Sequence, residues 1–349
     1  MFNQVISRQE ILKVSNDMTP SQKLLEIISG NWVSQSVYAA AKLGIADLLK
    51  DGPQHIDRLA QAVEADVQSL YRLMRALASV GVFTEVEDKH FWLTSIGECL
   101  QTENPNSLRA LAILWGEEQY QAWVDIVYSV KTGKCAYEHQ NGVSFFNYLE
   151  QNAESARTFD EAMTSYSQQT HVSVADAYDF SRFNKIVDVG GGHGTLISSI
   201  LEAYPNLRGV LFDSPHAIEG AQKHIQAAGL SKSCEVVAGD FFKSVPSGGD
   251  VYVLSSIIHD WDDDSSIAIL KNCHDAMVEN GKLLLVETVI SPGNEPFFGK
   301  LLDLHMLIMH GGHDRTEAEY RSLLADSGFK MTKIITTQSL RSVVEAVRV

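Results

Sequence analysis

Three stretches of this 349-residue chain carry side chains that could do chemistry together. In "VDVGGGHGT", residues 187–195, a hydrophobic run meets Gly190, Gly191, Gly192 and Gly194. Glycines there permit backbone turns that a Cβ forbids and let a ligand approach the main chain. A helix starting just beyond would turn its N-terminal amides toward an anionic end of that ligand. Two carboxylates follow. Asp213 ends "LFD" and is placed to accept from both hydroxyls of a ribose, and Asp240 in "AGDFF" can accept from an adenine amino group while Phe241 gives the ring an apolar contact. Together these describe a nucleoside-shaped slot. Past the next apolar run, "IIHDWDD" supplies His259 and Trp261 at the rim of the same cleft. Histidine suits proton removal because it titrates near neutral pH.

The elements that must position these residues are legible in the texture of the chain. From residue 185, short β-branched runs ("KIVDVG", "RGVLFD", "CEVVAGD", "DVYVLSS", "GKLLLVETV") alternate with helical stretches. That alternation marks an α/β, doubly wound parallel sheet, whose ligands bind beyond the carboxyl ends of the strands. "FKMTKIITT" and "RSVVEAVRV", joined by a polar turn, add an antiparallel hairpin at one edge. Residues 20–50 fit two or three helices, interrupted near Gly30 and closed around Gly44. Helix, turn, helix and two short strands around a charged "EVEDK" turn come next, the order of a winged helix. Residues 105–180 read as helical with scattered aromatics. The expected organisation is a winged-helix region at 1–110, a helical region at 111–180 contributing to a substrate pocket, and a ligand-binding α/β domain at 181–349.

Charge narrows the functions open to such a chain. Lys plus Arg total 28 and Asp plus Glu 44, so the net charge is 28 − 44 = −16, a field that repels nucleic acid. The recognition-type helix, Val67 to Val80, offers only Arg72 and Arg75, and residues 1–110 hold 10 basic against 13 acidic side chains. That face reads as a buried or subunit-pairing surface rather than a DNA-binding one. No apolar run is long enough to span a membrane, and the opening "MFNQVISRQEILKV" lacks a secretory layout, so a cytoplasmic protein is expected. Cys99, Cys135, Cys234 and Cys273 lie far apart, without the spacing of a zinc site or a disulfide framework.

A dinucleotide fingerprint, GxGxxG, fails at Thr195, which opposes a nicotinamide-dependent oxidoreductase. The spacing present, GxGxG with Asp188 two residues before Gly190, resembles motif I of the class I S-adenosylmethionine-dependent methyltransferases. With "FDSPHAI", "GDFF", "HDWDD", "LLLVE" and "GGHDRTEAEYRSLLADSGF", nearly the whole chain resembles the small-molecule O-methyltransferases of the caffeic acid, chalcone and acetylserotonin type. The resemblance implies a Rossmann-like, seven-stranded methyltransferase domain and an N-terminal winged-helix domain that forms an intertwined homodimer. It implies S-adenosyl-L-methionine as cofactor, a small, phenolic acceptor, and no metal, nucleic acid or membrane partner.

The resemblance also assigns residues. His259 matches the general base, Glu287 the carboxylate that orients it, and Trp261 an adenine-contacting tryptophan. Asp314 stands where the family has a glutamate; one methylene shorter, it could contact base or acceptor directly, through water, or not at all. Ser255 replaces a lysine four residues before the histidine, so an adenine-side contact must differ. Asp188, Gly190, Gly192, Asp213, Asp240 and Phe241 complete the cofactor set, with Ser167 matching a contact to its carboxylate. Phe159 and Met163, four apart on one helical face, match the acceptor sandwich, to which Met306, Met309, Trp115 and Trp123 would add surface. The acidic run Asp260, Asp262, Asp263, Asp264 reads as favouring a helix dipole, with Asp264 or Ser265 as cap, rather than as a magnesium site. Methylation of nitrogen or carbon on the same fold, and a non-enzymatic winged-helix ligand sensor, are the alternative functions; the acidic charge and the His259–Glu287 pair oppose the sensor.

Overall fold

The computed structural model describes residues 18–349, except the side chains of residues 168 and 169; the opening segment read above for a secretory layout lies outside the described residues. Contacts divide the chain into a unit that ends at Gly116 and a unit from Glu117 to Val349.

In the first unit, helices Pro20–Ile28, Gly30–Lys42 and Ile45–Leu48 come first. A capping box between Thr19 and Gln22 starts the first helix, and Gly44, at φ 67°, separates the other two. Strand β1 (Gln54–His55), helices Ile56–Ala62 and Val67–Ser79, β2 (Phe83–Glu87) and β3 (His90–Leu93) follow, the strands pairing in the order β1-β3-β2. Helix Val67–Ser79 buries Leu70, Met74 and Leu77 against Phe83 and Phe91, while Arg72 and Arg75 stay outside. Two details differ from the sequence reading. The turn between the strands is only Asp88–Lys89, both at positive φ, and β2 runs through Glu87, which pairs with His90. The two-residue β1, too short to show a period, adds to the wing. The first helix buries no residue and exposes Leu24, Leu25, Ile27 and Ile28.

The second unit begins with helices Glu118–Val124, Ile126–Thr132, Ala136–Asn141 and Phe145–Gln151 and the long helix Ala153–Ala177. Strands β4 (Lys185–Val189), β5 (Arg208–Asp213), β6 (Cys234–Ala238), β7 (Val251–Ser255) and β8 (Lys282–Glu287) are separated by crossover segments. A small parallel pair, β9 (Val289–Ile290) with β10 (Arg315–Thr316), precedes β11 (Phe329–Thr336) and β12 (Ser342–Arg348). The seven-stranded sheet runs β11-β12-β8-β7-β4-β5-β6, parallel from β8 to β6 and closed at one edge by the antiparallel β11–β12 hairpin. Both faces are covered, so apolar residues fill both sides of the central strands: Val187 and Val189 face one core, Ile186 the other. β4 lies between β7 and β5, so strand order reverses there, the place where a crevice for a ligand opens.

Candidate active site

The glycine turn leaves β4 at the reversal point. Gly190, Gly192 and Gly194 all take left-handed backbone, at φ 73°, 54° and 84°. A Cβ on Gly190 would strike Ile257, two residues before His259, whereas a Cβ on Gly192 would meet nothing within 4 Å. The turn is therefore packed on one side and open on the other. Asp213 ends β5 and ties the turn down: its carboxylate accepts from the amides of Gly192 at 2.8 Å and Ser214 at 2.6 Å. Burial pushes its carboxyl up, against the pull of those two amides. Asp188 lies beneath Gly191, 1% exposed, and neither of its oxygens has a hydrogen-bond partner. Burial, helped by the charge of Asp213, pushes it up to about 7.

Thr195, the residue that broke the dinucleotide pattern, places its hydroxyl 2.6 Å from His171 Nδ1 on the long helix. Burial pushes His171 down to about 4, so the ring is neutral. His193 in the turn faces Asp160 on the same helix at 3.6 Å, which raises its pKa. Phe241 sits 3.9 Å from the position of a Cβ on Gly190 and meets Trp261 edge-on, with centroids 6.1 Å apart. Asp240 is exposed; its carboxylate accepts from the Phe242 amide and pairs with Lys243, holding it below its usual value. Ser255 ends β7 and is half-buried.

His259 follows β7 in a single helical turn, Ile258–Asp260, and is 5% exposed. Its Nδ1 is 3.0 Å from Glu287 Oε2 at the end of the neighbouring β8 and 3.6 Å from Asp314 Oδ1. Glu287 is itself fixed: Oε1 accepts from the amides of Ile257 at 3.0 Å and Ile258 at 2.9 Å. Burial is the largest single influence on His259 and opposes its charge, as does Arg341, but Glu287, Asp260 and Asp314 together outweigh them and push the imidazole up to about 10. Burial alone would raise Glu287; the charge and hydrogen bond of His259, with Arg341, hold it below its ordinary value.

The acidic run after His259 does not act as one cluster. Asp262 is the cap of helix Asp263–Ala276, accepting from the Ser265 amide at 2.8 Å; an extended backbone there lets it reach back, which neither Asp264 nor Ser265, already helical, can do. Asp263 pairs with Arg315 at 2.7 Å. Asp260 points the other way, 3.5 Å from His259 Nε2 and 4.0 Å from His310 Nε2, and burial pushes it up to about 6.

Several residues of this corner carry no signal of their own in the sequence. Arg315, fully buried, donates to the carbonyls of Ile258 at 3.0 Å and Trp261 at 3.1 Å, clamping the turn that bears His259. Gly312 packs against the backbone of His259 and Asp260, where a Cβ would collide with main-chain atoms that cannot move aside. Arg341 places Nη1 2.8 Å from His259 Nδ1 and 3.1 Å from Glu287 Oε2. Arg315 and Gly312 belong to the quoted "GGHDRTEAEYRSLLADSGF" stretch, which hints at them; Arg341 opens the quoted "RSVVEAVRV" run, which reads only as an edge strand.

The acceptor candidates fall in three places. Phe159 meets Phe146 edge-on at 6.2 Å; Phe146 stacks on His310 at 5.0 Å and on Trp261 at 6.4 Å, making a ring-lined path toward Asp260. Met163 is half-buried on the long helix, and the Ser167 hydroxyl donates to its carbonyl at 2.6 Å, bonding within its own helix. Met306 and Met309 are both buried on helix Gly299–Met309. Trp123 donates its indole hydrogen to His305 Nδ1 at 3.0 Å. Trp115 lies on helix Arg109–Gly116 of the first unit. All four cysteines are free.

Comparison with known proteins follows this geometry. The O-methyltransferase domain family matches residues 123–330, and an O-methyltransferase dimerisation domain matches residues 25–103. A phenazine O-methyltransferase, PhzM of Lysobacter antibioticus, is 49% identical over 326 residues, 93% of this chain and 96% of that protein. The crystal structure of LaPhzM superposes with a TM-score of 0.92 at 48% identity, covering 95% of this chain and all of the other. The structure of NcsB1, an O-methyltransferase of neocarzinostatin biosynthesis holding S-adenosylmethionine and 2-hydroxy-5-methyl naphthoic acid, gives a TM-score of 0.80 at 33% identity, over 90% of this chain and 96% of that one.

Proposed function

The chain belongs to the O-methyltransferase family, and we propose that it methylates a hydroxyl of a small, phenolic molecule with S-adenosylmethionine as donor and His259 as base, working without metal as a cytoplasmic homodimer. The observation that carries this reading is the His259–Glu287 contact of 3.0 Å at the ends of adjacent strands, beside a glycine turn open on one face. The dimerisation domain match and the exposed apolar face of helix Pro20–Ile28 support pairing of two copies. Among the described residues no helix is long and apolar enough to cross a membrane.

The residues present suit that donor. Asp188, buried and without a hydrogen-bond partner, and Asp213, half-buried, offer two carboxylates beside a turn with room for a ligand at Gly192, and a sulfonium nucleoside is cationic. Asp213 would take the ribose, Phe241 and Trp261 the adenine, with Asp240 and Ser255 at its edge and Ser167 toward the carboxylate end. When bound, S-adenosylmethionine supplies an electrophilic methyl carbon and retains the sulfur electron pair as the bond to that carbon breaks.

The protein's own part is positioning and proton transfer. With its Nδ1 hydrogen turned to Glu287, 3.0 Å away, His259 would carry its lone pair on Nε2. Nε2 takes the hydroxyl proton of the acceptor as the oxygen bonds to the methyl carbon, and the proton then passes to solvent, so the balance is one hydroxyl and one sulfonium converted to one ether, one sulfide and one proton. Phe159, Met163 and Phe146 would hold the acceptor ring, with Met306 and Met309 as further surface. Oxygen needs this base because a hydroxyl is a poor nucleophile until its proton leaves. His259, Glu287 and Asp314 could by spacing surround a metal ion, but the Arg341 guanidinium already lies 3.1 Å and 3.7 Å from the two carboxylates, which supports the metal-free reading.

The test is methyl transfer from labelled donor to a panel of phenols, hydroxynaphthoic acids and hydroxylated phenazines, with and without chelator. Label transferred to oxygen, unchanged by chelator, is expected. Transfer only to ring nitrogen or carbon, or loss of activity with chelator, would sink the oxygen or metal-free part.

A further inference from the structure

Arg341 lies beyond residue 330, where the family match ends, yet its guanidinium reaches the centre of the His259 cluster. The hairpin register delivers it there. Ser342, the first residue of β12, pairs with Glu287, the last of β8, so the preceding residue falls beside the end of the sheet that bears His259. The turn is held by its own side chains: Ser339 N donates to Thr337 Oγ1 at 3.0 Å, Arg341 N to Ser339 Oγ at 3.2 Å, and Thr337 Oγ1 to the Arg341 carbonyl at 2.6 Å. Arg341 is 6% exposed, and Nη1 faces His259 Nδ1 at 2.8 Å, Glu287 Oε2 at 3.1 Å and Asp314 Oδ1 at 3.7 Å.

This geometry eases a conflict within the site. Three buried carboxylates, Glu287, Asp314 and Asp260, surround one imidazole, and together they favour the imidazolium, which cannot accept a proton. A base must be neutral when the acceptor arrives. A buried positive charge on the Nδ1 side opposes the imidazolium and offsets the two carboxylates it contacts. Other titratable groups face this cluster: His305 and His310 from helix Gly299–Met309, Tyr166 and His171 from the long helix, and Tyr320 from helix Glu317–Asp326. Burial keeps both His305 and His310 neutral, down to about 4 and about 3. Arg315 donates to carbonyls and to Asp263 rather than to Glu287 or Asp314. Arg341 is therefore the fixed cation that touches the imidazole.

We propose that Arg341 is a positioning residue for the methyl transfer, a permanent counter-charge to Glu287 and Asp314 that lowers the pH at which His259 releases its resting proton to act as base. The assignment rests on His259 being the base. The guanidinium does not touch acceptor or donor; it acts through the imidazole, and at Nδ1 it competes with the ring for Glu287. With Arg341 in place the imidazole lies up at about 10, and without it the carboxylates would hold the proton to higher pH still.

The experiment compares the full-length wild type with Arg341→Gln, Arg341→Lys and His259→Ala, using S-adenosylmethionine and a hydroxylated phenazine. kcat is measured against pH, and the His259 imidazole is titrated by NMR of histidine-labelled protein, its signal identified by its absence in His259→Ala. Arg341→Gln is expected to move the acid limb of kcat upward, with a rate loss of about tenfold at neutral pH for each unit moved and recovery as pH rises. The NMR midpoint should move in the same direction, and Arg341→Lys should keep the limb near its wild-type position. A folded Arg341→Gln protein that loses rate equally at all pH, with its limb and midpoint unmoved, overturns the proposal. If Arg341→Gln does not fold, Arg341→Lys decides: a limb displaced although the charge is kept overturns it too. A His259→Ala protein with the wild-type rate and pH profile instead overturns the base assignment, while the NMR midpoint still reports whether Arg341 governs His259.

Discussion

Two regions at the ends of neighbouring strands solve opposite problems. At the end of β4 the glycine turn is built from backbone: its amides are spent on Phe212 and Asp213, one side stays open, and beneath it Asp188 lies buried with no partner. At the end of β7 the His259 corner is built from side chains, and every charge has an opposite charge within 4 Å. The first region is incomplete without a ligand. The second has its charges paired without one, although Asp314 there is also buried with no hydrogen-bond partner. A site that completes itself with ligand should govern affinity, and one that is already wired should govern rate.

The largest test of that division is His259→Ala, expected to lower kcat on the order of a hundredfold or more while calorimetric affinity for S-adenosylmethionine changes by less than about threefold. A matching loss of donor affinity would erase the distinction between the regions. Next is Gly312→Ala. The added methyl meets the His259 and Asp260 backbone, so it should destabilise the fold by about 1–3 kcal/mol and lower kcat roughly tenfold; unchanged melting temperature and rate would mean the contact is not tight. Asp213→Ala should act on the other region alone, weakening the donor Kd about tenfold with kcat at saturation nearly kept.

How much of this contrast could be read in advance depends on what each residue answers to. The glycines, Asp213, His259 and Glu287 are placed by their own strand ends, and strand ends are visible as the close of an apolar run followed by a turn. The sheet and its edge hairpin were legible for the same reason. Arg341 was not, because only the pairing of Ser342 with Glu287 brings it to His259, and a register between distant strands leaves no periodic trace. Phe146 was hidden differently: it is one aromatic among many on short helices, and its stacking on His310 and Trp261 is a tertiary fact. Asp260 was misread as part of an acidic run because its neighbours carry the same charge, although its side chain turns to the imidazole while theirs cap and brace a helix.

The smallest expected effect is the most specific to the open region. Asp188 has a folded pKa near 7, raised from 3.8 chiefly by burial. The folded state therefore holds this proton more tightly than the unfolded chain, so the group's contribution to stability is full below about pH 4 and is lost as pH rises through 7. Asp188→Asn keeps the shape and removes the titration. Melting temperatures of ligand-free protein should diverge across that window, with the variant losing less between pH 5 and about 8 than the wild type. Saturating S-adenosylmethionine should shrink the divergence, because a cation beside the carboxylate restores its charged form. If donor leaves the pH dependence of melting untouched, Asp188 does not sense the ligand, and the turn's lack of an internal partner has another cause.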